Sequence, residues 1–536
     1  MTFSSNSLSW DHLLDTTRSK ELLPSIAEED DLPEECRENS GSDGKENGQT
    51  DHRSEFDRDY DRTLFSPPVR RLQDKAQVFP LDPNDSVRTR GTHSMEVANL
   101  AKSVVNRLWS FFKEEGLEDK QIGHIRSIAE TCGILHDLGN PPYGHAGETA
   151  MQNWFEKTFT EYRVKQGNQD NRCPYTVLAS HEQNNGIPTL GEHLEGYEGD
   201  NLAAGFLNFD GNAQTIRLVT KLQMLADFSG LNLTAGTLAA ALKYTTRADQ
   251  TNQDFHAHEK PGFFFSEREI VKKVRDVTNL GECRHPITYI VEACDDMVYS
   301  VVDLEDGIKK QVVTWDDLAG AFDKGSTGAR LINMAEKNVR CRLKEADHHG
   351  NQLSRQGIDE ARAQLFRTYA IGEHVQEAVS TFQEHYDEIM RGTYGKEKSE
   401  EGELLEDGNT SGLLDVCKTL GQDEVYTASE IITREAKGRR IIADLMDFFW
   451  EGARCTFWDV NSEGSGKVKV EGEFAEKAYN LMSENYKIVF ERDMSQKRVD
   501  ETEIPREYRQ LQLVADYISG MTDGFAQSLH KDLFNG

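Results

Sequence analysis

The apolar run Ile128-Ala129-Glu130-Thr131-Cys132-Gly133-Ile134-Leu135-His136-Asp137-Leu138-Gly139 carries a histidine and an aspartate side by side near its end. Embedding both groups in an apolar helix costs several kcal/mol, in order of magnitude, unless something pairs with them. A neutral imidazole beside a carboxylate suits a hard or borderline divalent metal. An isolated pair of this kind at a solvent-facing helix end would need no such explanation. Here His93 lies upstream, in Arg90-Gly91-Thr92-His93-Ser94, and an acidic helix surrounds Asp295 downstream. The chain must therefore fold so that three separate segments can meet at one helix end.

Those segments read as helices. Apolar residues recur at helical spacing over 94–113, 213–227, 287–304, 360–391, 429–450 and 507–530. Strand signals are short and few, and Pro67-Pro68 and Phe79-Pro80-Leu81 mark irregular connections. The expectation is an all-α chain with minor short strands and long loop insertions. Three segments interrupt the pattern. Residues 27–51 are acidic, rich in Ser, Gly and Asn and nearly free of apolar side chains, which predicts a disordered insertion. Residues 395–412 form a second candidate loop, and 161–201, with Gly167-Asn168-Gln169-Asp170-Asn171-Arg172, a third excursion. The predicted division is an N-terminal segment over 1–54, a catalytic core over 55–310 and a helical C-terminal region over 311–536.

The 536 residues carry a net charge of -32, which opposes nonspecific nucleic-acid binding, because phosphate neutralisation needs clustered Lys and Arg. No run of about 18 apolar residues predicts a membrane span. The N-terminal residues show neither the basic nor the apolar stretch of a secretory signal. Eight cysteines without a CxxC pair argue against a disulfide framework or thiolate zinc site, and a reducing cytoplasm is expected.

On a helix, Asp295, Tyr299 and Asp303 form one slowly drifting stripe, because positions four apart advance about 400°. The alternative is a solvated acidic face. Together, His93, His136, Asp137 and Asp295 offer two imidazoles and two carboxylates to one divalent ion, with room for water and a phosphate oxygen. No second complete ligand shell is visible, so one metal per subunit is expected. Nine residues after His136, His145 and Glu148 stand three apart at a predicted helix start, where they face the same way. Glu148 would orient and polarise His145 for acid–base work. Read alone, the pair could equally be a helix-start histidine with a glutamate at the positive helix end.

The series Arg90-Gly91-Thr92-His93-Ser94-Met95-Glu96-Val97, Gly133-Ile134-Leu135-His136-Asp137-Leu138-Gly139-Asn140-Pro141-Pro142-Tyr143-Gly144-His145-Ala146-Gly147-Glu148 and Glu292-Ala293-Cys294-Asp295-Asp296 resembles HD-domain deoxynucleotide triphosphohydrolases, and more closely the bacterial dGTP triphosphohydrolases. Arg58-Asp59-Tyr60-Asp61-Arg62, Arg70-Arg71-Leu72-Gln73-Asp74-Lys75-Ala76-Gln77, Phe209-Asp210-Gly211-Asn212, Lys260-Pro261-Gly262-Phe263 and Ser519-Gly520-Met521-Thr522-Asp523 are similar to further blocks of that family. The likeness runs from about 55 to 530, interrupted by loops.

The resemblance implies an HD-domain helical fold and hydrolysis of dGTP to deoxyguanosine and tripolyphosphate. The alternative is a broader dNTP triphosphohydrolase activated by another dNTP or by single-stranded DNA. It implies Mn or Mg on His93, His136, Asp137 and Asp295, and His145 with Glu148 as the catalytic pair. Gln77, Tyr299 and Asp303 would hold the deoxyribose, and Arg90 and Lys260 the phosphates. A homo-oligomer, in many members a hexamer, is the implied assembly. The insertion at 27–51 and the excursion at 161–201, which contains His181-Glu182, have no counterpart in compact family members. Asp296 stands where eukaryotic relatives carry a phosphate-binding lysine.

Overall fold

The computed structural model describes residues 7–22, 52–82, 84, 86–164, 175–177, 187–197, 199–223, 229–348, 353–396, 402–460, 466–495 and 504–534. The predicted insertion at 27–51 and the His181-Glu182 pair lie outside the described residues. The architecture is helical, as expected, and the described strands form two short antiparallel hairpins.

Four segments frame the interior: α1 (Glu55–Leu64), α2 (Arg90–Arg107), α3 (Asp119–Leu135) and α4 (Gly144–Glu161). The starts of α1 and α2 are set by short polar side chains that satisfy orphan backbone N–H groups. Ser54 and Asp57 cap α1 reciprocally, and Thr89 and Thr92 do the same for α2. Helix α2 packs along α3, and the approach is close because Gly133 has no side chain. A Cβ there would lie 2.4 Å from the Ala98 Cα.

The excursion after α4 is not a plain loop. It contains the antiparallel strands β1 (Tyr162–Val164) and β2 (Tyr175–Val177), with Arg163 opposite Thr176. Tyr162 and Tyr175 stack edge-on against Trp450 at 5.8 and 5.2 Å, so aromatic burial holds this hairpin to the body.

A short helix α5 (Gly211–Arg217) follows, and then the 24-residue α8, Pro286–Lys309, preceded by α6 (Ala235–Ala241) and α7 (Arg268–Thr278). Helix α8 is buried on nearly all sides, from Ile287 to Ile308. It packs on α2 and α3 and on α10 (Arg355–Glu384), itself preceded by α9 (Thr327–His348).

Helices α11 (Ser411–Leu420) and α12 (Ser429–Arg454) come next, then strands β3 (Thr456–Val460) and β4 (Gly466–Val470). The chain closes with α13 (Glu473–Leu481), α14 (Glu484–Ser495), α15 (Arg506–Ser519) and α16 (Asp523–Phe534). The predicted helix at 507–530 is thus two helices, broken at Gly520-Met521-Thr522, and 94–113 is divided at Leu108.

One hydrophobic cluster runs from Leu8 and Trp10 through α2, α3 and α8 to Ile518 and Ala526. The C-terminal helices therefore share the core of the central ones. A second cluster, with Phe79, Val301, Trp315 and Phe366, surrounds the far end of α8. Each large side chain fully buried here contributes roughly 1.5–3 kcal/mol. Among the described residues no helix is long and apolar enough to cross a membrane.

Candidate active site

Helix α8, the C-terminal end of α3, the start of α2 and the start of α4 enclose a cleft of about 710 Å³. Every residue expected from the sequence lines it. His93, His136, Asp137 and Asp295 lie at its floor; His145, Glu148, Arg90 and Lys260 lie along one flank; Gln77, Tyr299 and Asp303 lie along another.

At the floor, the His136 Nδ1 is 2.8 Å from the Gly133 carbonyl oxygen. A carbonyl can only accept, so Nδ1 carries a hydrogen and Nε2 is the nitrogen turned into the cleft. That Nε2 stands 3.3 Å from the Nε2 of His93, 3.6 Å from the Asp295 Oδ1 and 3.7 Å from the Asp137 Oδ2. The His93 Nε2 is 2.9 Å from the same Asp295 oxygen and 4.0 Å from that of Asp137. His93, His136 and Asp137 thus converge on one small volume, with Asp295 against both imidazoles.

Helix packing brings them there. The Gly133–Ala98 approach lets the first turn of α2 reach the last turn of α3, and the two rings come within 5.3 Å.

The field at this point is negative enough to attract a cation. Burial opposes protonation of His136, yet Asp137 and Asp295 overcome it and raise the imidazole to about 9. Burial also opposes ionisation of Asp137, but the Arg90 guanidinium, 2.9 Å away, and the imidazoles keep the carboxyl below its usual range. The donor set, borderline nitrogen with hard oxygen, fits a divalent ion.

Among the described residues two other groups share metal-like proximity, and both already hold a cation. His256 bonds Glu259 through Nδ1 at 2.9 Å, and its Nε2 faces Glu292 at 3.1 Å and Glu403 at 2.7 Å. Both His256 ring nitrogens thus face carboxylate oxygens, so each carries a hydrogen and neither is left for a metal, and the same carboxylates raise its pKa against the pull of burial. In the Asp296–Glu403–Glu406 group, the Lys418 ammonium sits 2.7 Å from Glu406 and 3.5 Å from Asp296.

The His145–Glu148 pair is connected to the rest of the fold. His145 Nδ1 lies 2.8 Å from the Glu148 Oε2, with the imidazole 87% exposed at the cleft mouth and Glu148 largely covered. The other Glu148 oxygen accepts the backbone N–H of Gly211 at 2.9 Å, at the start of α5. The hydrogen bond to Glu148 raises the His145 pKa. Helix α4 opens through a left-handed turn, with Tyr143 at φ 64° and Gly144 at φ 55°. A Cβ on Gly144 would stand 2.5 Å from the Arg90 Nη2, so glycine is what lets the guanidinium lie against this turn.

On the third wall, Tyr426 donates its hydroxyl hydrogen to Asp303 at 2.7 Å, and Lys418 lies 5.5 Å over the Tyr299 ring. Burial pushes Asp303 up to about 8. The buried Gln77 Oε1 has no hydrogen-bond partner among the described residues. Lys243, on the connection after α6, and Lys260 both lie within 6 Å of the Tyr244 ring centroid, at 5.7 and 5.9 Å. With Arg90 they bring three cationic side chains into the cleft lining, Lys243 and Arg90 paired with Glu292 and Asp137.

Sequence reasoning missed Lys243, His256, Lys418 and Tyr426. It also placed Glu403 and Glu406 in an unremarkable loop at 395–412, although both line the cleft. None of these residues has a motif around it; only the fold brings them in.

Two family models match the chain: the HD domain over residues 90–209 and the phosphohydrolase-associated domain over 473–532. A deoxyguanosinetriphosphate triphosphohydrolase-like protein of Listeria monocytogenes is 31% identical over 488 residues, covering 90% of this chain and 94% of that relative. This chain belongs to the deoxyguanosinetriphosphate triphosphohydrolase-like family. The Listeria innocua member matches to the same extent, 31% over 488 residues, again with 90% and 94% coverage. The chain is thus an HD-domain hydrolase, and the matched HD segment contains His93, His136, Asp137, His145 and Glu148. The other family-model match covers α13 to α16.

Proposed function

We propose that the protein is a metal-dependent deoxynucleoside triphosphate triphosphohydrolase, acting on dGTP to give deoxyguanosine and tripolyphosphate. One observation carries this reading: the metal-type cluster, the His145–Glu148 pair and the Asp295–Tyr299–Asp303 stripe share a single cleft. The names of the Listeria relatives support the substrate class.

His93, His136, Asp137 and Asp295 would hold a divalent ion, Mn or Mg, one per subunit. When bound, it supplies Lewis-acid neutralisation of phosphate charge. Arg90, Lys243 and Lys260 share that neutralisation from the cleft wall. Gln77 and Asp303 hold the 3′-hydroxyl, and the Tyr299 ring packs under the 2′-carbon, where a ribose hydroxyl would clash. Water adds to the α-phosphorus as the bond from phosphorus to the 5′-oxygen breaks. His145, oriented by Glu148, moves the proton, and the three phosphates leave together.

The guanine preference has its own support. Glu435 lines the cleft and makes no hydrogen bond or ion pair among the described residues. A carboxylate complements the adjacent N–H donors on the guanine edge and repels the adenine ring nitrogen. A broader dNTP specificity under control of a second nucleotide or of single-stranded DNA is the alternative. Phosphorus NMR of the products from dGTP with Mn or Mg decides the chemistry. Tripolyphosphate supports the reading, and dGMP with pyrophosphate overturns it. The same assay on all four dNTPs, alone and mixed, decides the specificity.

A further inference from the structure

One buried carboxylate contacts both the backbone just before Gln77 and the backbone from which α4 starts. Asp523, the first residue of α16, is 2% exposed. Its Oδ1 accepts the backbone N–H of Tyr143 at 2.9 Å, and its Oδ2 accepts that of Ala76 at 3.1 Å. Tyr143 is the left-handed residue from which α4 starts, two positions before His145. Ala76 immediately precedes Gln77.

A second tie runs the same way. The buried Lys75 ammonium donates to the Asn140 carbonyl at 2.5 Å and to the Ser519 carbonyl at 2.9 Å. The break between α15 and α16 is thereby bound to both sides of the cleft.

We propose that Asp523 is a positioning residue that sets the spacing between the His145–Glu148 pair and Gln77, so that the C-terminal helices form part of the hydrolytic site. The inference deepens the proposed function and rests on it. A left-handed non-glycine residue is strained, and it persists only where its surroundings fix it. The hydrogen bond to Tyr143 is such a constraint. Since a displacement of about 1 Å at reacting groups costs on the order of 10²-fold in rate, releasing this carboxylate should register in turnover before it registers in folding.

The test uses the full chain with Asp523→Asn, which keeps the shape but turns an N–H toward one of the two amides, and Asp523→Ala, which frees both. Steady-state kinetics on dGTP are read with amide hydrogen exchange over peptides containing residues 76 and 143. We expect kcat to fall on the order of 10²-fold in Asp523→Ala and KM to rise, because the reacting and sugar-binding sides both shift. Exchange should quicken at both peptides while α8 stays protected. Asp523→Asn should lie between wild type and Ala, and if Ala fails to fold, Asn decides with the same readouts. Wild-type kcat and KM in a folded variant, or a fall in Tm with kinetics unchanged, would overturn the proposal. A wild-type protein that hydrolyses no dNTP overturns the proposed function instead, and the exchange pattern still decides whether Asp523 couples the two loops.

Discussion

The His136 Nδ1 hydrogen is held by the Gly133 carbonyl at 2.8 Å, and this leaves the opposite ring nitrogen 3.3 Å from His93. The same residue, Gly133, both orients the His136 ring and permits the helix approach that supplies its neighbour.

Replacing His136 or Asp137 with alanine should therefore remove the ion. Metal analysis of the purified protein is expected to fall from one equivalent per chain to near zero, with turnover reduced at least ~10³-fold. Retention of the full metal equivalent would show that the ligands are misassigned.

Gly133→Ala tests the packing that builds the floor. The new Cβ meets backbone of α2 at 2.4 Å, which no rotamer relieves. We expect a stability loss of about 1–3 kcal/mol by denaturant titration, from overpacking. Weaker metal binding should accompany it, because His93 must move with α2. Unchanged metal affinity in the destabilised variant would separate packing from ligation.

Tyr299→Ala opens the face on which the sugar is expected to lie. The ratio of kcat/KM for dGTP over GTP should fall by about 10- to 100-fold, the discrimination available to steric exclusion of a small group. An unchanged ratio would assign the selection to other residues.

The pH dependence of folding should reflect His285. Its Nδ1 caps α8 by accepting the Ile287 N–H at 3.1 Å, and complete burial lowers its pKa to about 3. The unfolded chain takes up this proton near the ordinary value of about 6.5 and the folded chain does not. Folding is consequently favoured above about 6.5, and this group withdraws about 1.4 kcal/mol per pH unit as pH falls from there towards about 3. His285→Asn keeps an acceptor at the cap without the titration. Urea titrations between pH 7 and 4 should show a shallower loss of stability in the variant, and parallel curves would rule His285 out as a source.

Legibility from sequence differed by residue for physical reasons. His136, Asp137, Asp295, Tyr299 and Asp303 were readable because helix geometry fixes which neighbours share a face. The helices around them were readable from apolar periodicity. Lys418 and Tyr426 were not, because they reach Tyr299 and Asp303 across more than a hundred residues, and no local pattern encodes that distance. The β1–β2 hairpin was hidden in a polar stretch, since what stabilises it is contact with Trp450.

The sequence alone determined the helical class and the family, because periodicity and the order of motifs are local properties. Only the tertiary structure decided that all of these groups face one cleft, that Arg90 lies against Gly144, and that Asp523 holds both Tyr143 and Ala76. Those relations arise from close packing of distant helices around a shared core, where a missing Cβ or a single buried carboxylate sets distances that no spacing along the chain records.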